Sequence, residues 1–366
     1  MPITTTRGTL LPALTAAART AGASPPILLH VSVSASGGVL TLTGTDGVRA
    51  TTAMAICGPS DAGAFCLPAK PFLAWVKALP VDTILTLTHD TDAGRCTLTA
   101  PGASWNTATL PTEDFPAIKP GTFGCTFPIP AAALAGALQL CLPAISTEET
   151  RYYLCGAYFH RGGLVATDGN RVHLTPMPGV PEDMPGVIIP TAAVKAILAL
   201  AGAKPSGDIT LSVSPTRIRA VMPGGVVFRS KTIDGTFPEY ERVIPRGHAR
   251  LLTVGDTPAF ATAILALGKQ VSTDRSHPVL LTLRGDGGWA ITAKGPEGMS
   301  ATGPSCDTGY QGEALEIGVQ ARYLAQALAG VTGACCLTFG DAAGPMIVYG
   351  AANPDGYRAV VMPRSA

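Results

Sequence analysis

Apolar and polar residues alternate along much of the chain, as in Val39-Leu40-Thr41-Leu42-Thr43, and this two-residue period predicts strands with one face on a core. Ala/Leu-rich stretches interrupt the alternation with a helical period. Residues 10–20 predict one helix and residues 131–140 a second, on which Leu134, Leu138 and Leu142 keep a single apolar face. Two further helices are predicted to open at prolines, over residues 68–79 and 190–201, because a first-turn proline gives up no helical hydrogen bond. Alternating segments close each group, residues 83–88 with 95–99 and residues 209–213 with 218–221.

These groups are copies of one another. Thr45-Asp46-Gly47 recurs as Thr167-Asp168-Gly169, Leu67-Pro68 as Ile189-Pro190 and Phe115-Pro116 as Phe237-Pro238, each pair 122 positions apart. Three anchors in one order at one offset predict a duplicated domain. The last third lacks the anchors but keeps the order: a helix over 258–267, strands over 279–283 and 289–293, a helix over 319–328, and strands over 335–339 and 346–349. We therefore expect an α+β protein of three tandem domains, residues 1–120, 125–246 and 250–366. Its boundaries would lie in the Pro/Gly-rich stretches 119–124 and 245–250.

Composition narrows the function. The 366 residues are 46% hydrophobic, enough for two or three cores. Lys and Arg number 26 against 25 Asp and Glu, a net charge of +1, which excludes a strongly basic nucleic-acid coat and leaves any DNA contact local or weak. The first residues lack the charged start and apolar stretch of a signal peptide, and no run of about 18 apolar residues occurs, so a cytoplasmic protein without a membrane partner is expected. The nine cysteines include no CxxC pair, which predicts reduced, mostly buried thiols.

Candidate chemistry is sparse. The chain has no GxxxxGK[ST], HExxH, GxSxG or SxxK, and its histidines (His30, His89, His160, His173, His248, His277) stand singly, so no catalytic residue, cofactor or metal is expected. Asp168 repeats Asp46 within the same tripeptide, which predicts a turn role for both. Two features suggest binding. Arg151-Tyr152-Tyr153 joins a cation to two aromatics, a composition suited to phosphate contact and stacking, although core packing accounts equally well for one tyrosine. Val360-Val361-Met362-Pro363 keeps the chain apolar almost to its end, where termini are usually polar, and predicts either a packed strand or one wall of a partner groove.

These residues resemble the bacterial DNA polymerase III beta subunit family, the replicative sliding clamps. The likeness rests on residues 109–116 (TLPTEDFP), 150–154 (TRYYL), 166–171 (ATDGNR), 237–245 (FPEYERVIP) and 360–363 (VVMP), and it spans nearly the whole chain. It implies three copies of a DNA-clamp domain per chain and a head-to-tail homodimer forming a ring of six. Helices would line the interior, with antiparallel sheets outside. It further implies a processivity factor that encircles double-stranded DNA of any sequence. Its partners would be the polymerase III alpha subunit, the clamp loader and other proteins carrying a clamp-binding peptide, near the nucleoid in the cytoplasm. A ring obtains retention from topology, so its DNA contacts need not be tight, which suits a nearly neutral chain.

By the same resemblance the partner-peptide cleft would comprise Leu154, Thr167, Gly169, Asn170, Arg171, Val172, Pro238, Arg242, Val243, Val360, Val361, Met362 and Pro363. DNA would meet Arg151, Tyr152 and Tyr153, and the dimer joint would include Trp105, Gln270 and Val271. Asn170 replaces the histidine frequent in the family, and Arg364-Ser365-Ala366 ends the chain where the family has a large apolar residue. The loop over residues 22–26 lacks the basic residue that the family often directs at DNA. Gln270 replaces a large apolar residue and is expected to weaken the joint by roughly 1–3 kcal/mol. The competing readings are an accessory clamp, an adaptor that sequesters partner peptides without encircling DNA, and an enzyme with a pocket between repeats.

Overall fold

The computed structural model describes residues 2–60, 63–116, 121–271, 278–295 and 299–364. His277, Lys119 and the last two residues, from the readings above, lie outside the described residues, as does the side chain of Val271. The described residues form six α-helices: α1 (Arg7–Ala18), α2 (Ala69–Ala78), α3 (Ala131–Cys141), α4 (Thr191–Ala201), α5 (Thr257–Val271) and α6 (Ala321–Leu328). Each predicted helix is present. Residues 319 and 320 belong instead to the strand Leu315–Gln320, and Leu142 leaves the face of α3 for a 3-10 turn, Leu142–Ala144, because Pro143 cannot continue the helix.

The chain packs as two compact units, residues 1–135 with 181–232 and residues 136–180 with 233–366. In the first unit, Pro2–Thr6, Ile84–Asp90, Arg95–Ala100 and Ala103–Ala108 form one antiparallel sheet in that order. The other sheet runs Gly63–Pro68, His30–Ser36, Val39–Thr45, Arg49–Ile56, Val227–Lys231, Arg217–Val221, Asp208–Ser214, Cys125–Pro130. Leu10, Ala13, Leu14 and Ala17 of α1 and Phe72 and Val76 of α2 join Val31, Val33, Leu40 and Leu42 in one core, as the alternation requires. The approach of α1 to its sheet depends on one glycine: a Cβ at Gly44 would lie 2.0 Å from the Ala17 carbonyl oxygen.

The second unit repeats this plan. One sheet runs Ser300–Cys306, Trp289–Lys294, Pro278–Leu283, Leu315–Gln320. The other contains, in order, Gly156–His160, Gly163–Thr167, Arg171–Pro176, Asn353–Val361, Met346–Gly350, Cys335–Phe339, Arg250–Val254 and Tyr310–Gln311. Phe260, Ile264 and Leu267 of α5 and Leu324 and Leu328 of α6 pack with Val279, Leu281, Ile291, Leu337 and Val361. In both units the strand after a Thr-Asp-Gly turn pairs with a strand from late in the unit: Arg49–Ile56 with Val227–Lys231, and Arg171–Pro176 with Asn353–Val361.

None of the nine cysteines forms a disulfide, and seven of them are buried. No described helix is long and apolar enough to cross a membrane, and the described residues hold no His/Cys/Asp/Glu group able to bind a metal ion.

Candidate peptide-binding cleft

The second Thr-Asp-Gly turn builds the site. Thr167 Oγ1 donates to the Arg171 carbonyl oxygen at 2.6 Å and accepts from Gly169 N at 3.1 Å. Asp168 Oδ1 accepts from Asn170 N at 2.9 Å and Arg171 N at 3.2 Å, the turn role expected of it. The first copy is wired alike, with Val48 N and Arg49 N donating to Asp46 Oδ1.

Arg171 follows the turn and is 5% exposed. Its Nε meets Asp168 Oδ2 at 3.1 Å, its Nη1 donates to Gln326 Oε1, its Nη2 donates to the Pro143 carbonyl oxygen, and its plane lies 4.2 Å from the Tyr323 ring centre. Burial pulls the guanidinium below its ordinary pKa, while Asp168 and Tyr323 favour the charged form. A buried cation tied to a carboxylate, an amide, a carbonyl and a ring fixes the geometry of the turn above it.

The strand Asn353–Val361 lies beside this turn, with Val360 opposite Val172, and Met362 N donates to the Asn170 carbonyl oxygen at 2.9 Å. That last bond draws the chain end across the turn. The result is a cavity of about 270 Å³ lined by Leu154, Thr167, Gly169, Arg171, Val172, Pro238, Val243, Val360 and Met362, together with Arg151, Tyr153, Glu239 and Tyr240. A second hollow of about 210 Å³ shares Met362 and adds Asn170, Gln320, Tyr323, Pro363 and Arg364. A third, of about 810 Å³, includes Arg242 with Tyr158 and Phe237, whose rings stack 4.8 Å apart.

The residues anticipated for the cleft are thus distributed over three adjoining hollows, with one correction. Val361 turns the other way, 0% exposed within the core, because alternate residues of a strand face opposite sides. Sequence reasoning missed Glu239, Tyr240, Gln320 and Tyr323. Tyr240 Oη hydrogen-bonds His160 Nε2 at 3.0 Å, a pairing no local pattern announces. Arg151 and Tyr153, read as DNA contacts, stand in the cavity wall. Arg151 is ion-paired with Glu148, whose carboxyl is held below its usual range by Arg151 and Thr150. Tyr152 meets Tyr153 edge to face and is 53% exposed.

Behind the cleft His173 is fully buried, its Nδ1 2.8 Å from the Leu140 carbonyl oxygen and 3.0 Å from Tyr357 Oη. Burial pushes its pKa down to about 4, so the ring is neutral and donates from Nδ1. Of the joint residues, Trp105 is half-buried on the edge strand Ala103–Ala108 and stacks on Phe72 at 6.3 Å, and Gln270 is exposed near the end of α5.

The architecture is shared with known proteins. Residues 1–119 match the family model of the DNA polymerase III beta subunit N-terminal domain, and residues 129–239 match that of its central domain. Beta sliding clamps from Caulobacter vibrioides and Escherichia coli are 33% identical over 353 residues and 29% over 316, covering 92% and 83% of this chain and 92% and 82% of theirs. The crystal structure of a sliding clamp (DNA polymerase III subunit beta) from Bartonella birtlesii bound to griselimycin is 34% identical with a TM-score of 0.93, each chain fully covered. The DNA polymerase III subunit beta of Pseudomonas aeruginosa is 28% identical with a TM-score of 0.92, again over 100% of both chains.

Proposed function

The chain belongs to the bacterial DNA polymerase III beta subunit family, the beta sliding clamps, and from that premise we propose that it acts as a homodimeric ring around duplex DNA. Each chain would contribute the three domains 1–120, 125–246 and 250–366, joined head to tail through surfaces that include Trp105, Gln270 and Val271. Retention would come from closure, and the DNA contacts, led by the exposed Tyr152 with Arg151 and Tyr153 beside it, would stay weak enough for sliding. The protein would catalyse nothing itself and would work in the cytoplasm.

The observation that carries the partner-binding reading is the apolar cleft walled by Leu154, Val172, Val243, Val360 and Met362. Its size suits two or three side chains of a short linear peptide, and Met362, flexible and 39% exposed, adapts to different anchors. Peptide-bearing partners would include the polymerase III alpha subunit and the clamp loader. Light scattering across a dilution series tests the ring: a mass near twice 37.3 kDa is expected, and a monomer at micromolar concentration would remove unaided encirclement and leave an adaptor that binds peptides.

A further inference from the structure

The cleft has a counterpart in the first unit, position for position. Lys231 N donates to the Val48 carbonyl oxygen at 3.2 Å, just as Met362 N donates to that of Asn170, and positions 48 and 170 are related by the repeat offset of 122. The neighbouring pairs follow in step. Arg229 lies opposite Ala50 where Val360 lies opposite Val172, and Arg219 lies opposite Arg229 where Ile347 lies opposite Val360. Arg49 also matches Arg171, with Nε 2.8 Å from Asp46 Oδ2 and Nη1 donating to the Ala192 carbonyl oxygen at 2.9 Å. The backbone frame of the cleft is therefore present twice, but its wall has changed character. Val360 and Met362 of the cleft wall are matched by Arg229 and Lys231, and Ile347, on the strand next to Val360, is matched by Arg219.

This wall is an unusual piece of sheet. Arg219 faces Arg229 and Arg217 faces Lys231 across adjacent strands, two like-charge pairs in successive positions on one face, which a sheet tolerates at a cost in stability. Among the described residues neither Arg219 nor Arg229 has a carboxylate within 4.0 Å, and the Nε of each is buried without a hydrogen bond. The nearby acid, Asp46, is already committed to Arg49. Arg219 is held in place by Ser212 Oγ at 2.9 Å and by the Phe123 ring at 5.2 Å. Partly desolvated guanidinium groups without an internal counter-charge, one of them held by Ser212 and Phe123, are arranged to receive carboxylates from outside.

We propose that this face is a second partner surface of the clamp and that it takes an acidic peptide segment in extended conformation. The choice of a peptide rests on the cleft reading, since the two sites share one frame. The choice of acidic residues rests on the charge alone. Arg219 and Arg229 face each other across adjacent strands, so one Glu or Asp of an extended peptide would meet both guanidinium groups, and its alternate side chain, about 6.6–6.8 Å further on, would reach the exposed Lys231. Duplex DNA fits less well: two rungs of positive charge span too few phosphates, and the Phe123 ring is already covered by Arg219.

Fluorescence anisotropy at low salt tests this with the full-length protein and a labelled Gly-Glu-Ser-Glu-Ser-Glu-Gly peptide. Saturable binding is expected, weakened about tenfold or more in the Arg219→Gln/Arg229→Gln variant and unchanged in Met362→Ala. The Gln version of the peptide should not bind. The paired variant removes like-charge repulsion, so it should melt no lower than the wild type, and Arg229→Gln alone serves if the pair does not fold. A Gln-Leu-x-Leu-Phe peptide measured on the same proteins should show the opposite dependence, so loss of that result alone would strike the cleft reading and leave this one. Acidic-peptide affinity that ignores the arginines, absence of saturable binding, or duplex DNA bound through the same arginines in its place would overturn the proposal.

Discussion

Gly169 and Arg151 leave no room between them: at φ +91° the glycine presents its Cα so that an added Cβ would lie 2.7 Å from Arg151 Nη1. The Gly169→Ala variant must therefore hold alanine in a left-handed conformation and displace a guanidinium paired with Glu148. We expect a loss of about 1–3 kcal/mol of stability and weaker binding of a Gln-Leu-x-Leu-Phe peptide, since both residues line the cavity. Thermal melting and peptide titration of the same preparation check the two effects.

Arg171 is the buried keystone of the turn, and removing it strands Asp168, Gln326 and the Pro143 carbonyl oxygen together. Arg171→Met should cost about 3 kcal/mol in urea unfolding, because a buried partner set loses its cation. Arg171→Lys should recover only part of this, since an ammonium cannot serve three acceptors in one plane and lie over Tyr323. Equal stability of the Lys variant and the wild type would refute the planar-fork account.

His173 makes stability depend on pH. An unfolded histidine titrates near 6.5, whereas burial holds the native ring neutral down to about 4. As pH falls through that window the unfolded chain takes up a proton that the native chain refuses, so stability is full above about 6.5 and declines toward 4. The separation corresponds to about 3 kcal/mol at most. Urea midpoints measured across the window should fall for the wild type and fall less steeply in His173→Gln, the remaining slope including His89, His160 and His248, which burial also lowers.

Met362 is partly exposed in the cavity wall rather than packed in the core, so on the cleft reading Met362→Ala should weaken peptide binding about tenfold and leave the melting temperature nearly unchanged. Val360 is 2% exposed, and Val360→Ala should lower both. Calorimetric titration of the two variants separates the contact from the packing.

The sequence carried much of this on its surface. Alternation in residues 39–43 and the leucine spacing of α3 were legible because burial imposes period on residue type, and the constant offset between Thr45-Asp46-Gly47 and Thr167-Asp168-Gly169 revealed the duplication. The contacts of Arg171 with Gln326 and of His160 with Tyr240 were not legible, since each joins residues far apart whose local surroundings look ordinary. Val361 shows the limit in a single step. An apolar terminal run marks a wall, but only the strand register says that Val360 faces the cleft and Val361 the core.

The most direct test of the central claim is retention on DNA of two topologies. After loading onto a nicked circular plasmid, the protein should co-elute with the circle through gel filtration at moderate salt and be lost when the same plasmid is linearised. Equal retention on circular and linear DNA, or none on either, would contradict a ring that holds its template by encircling it.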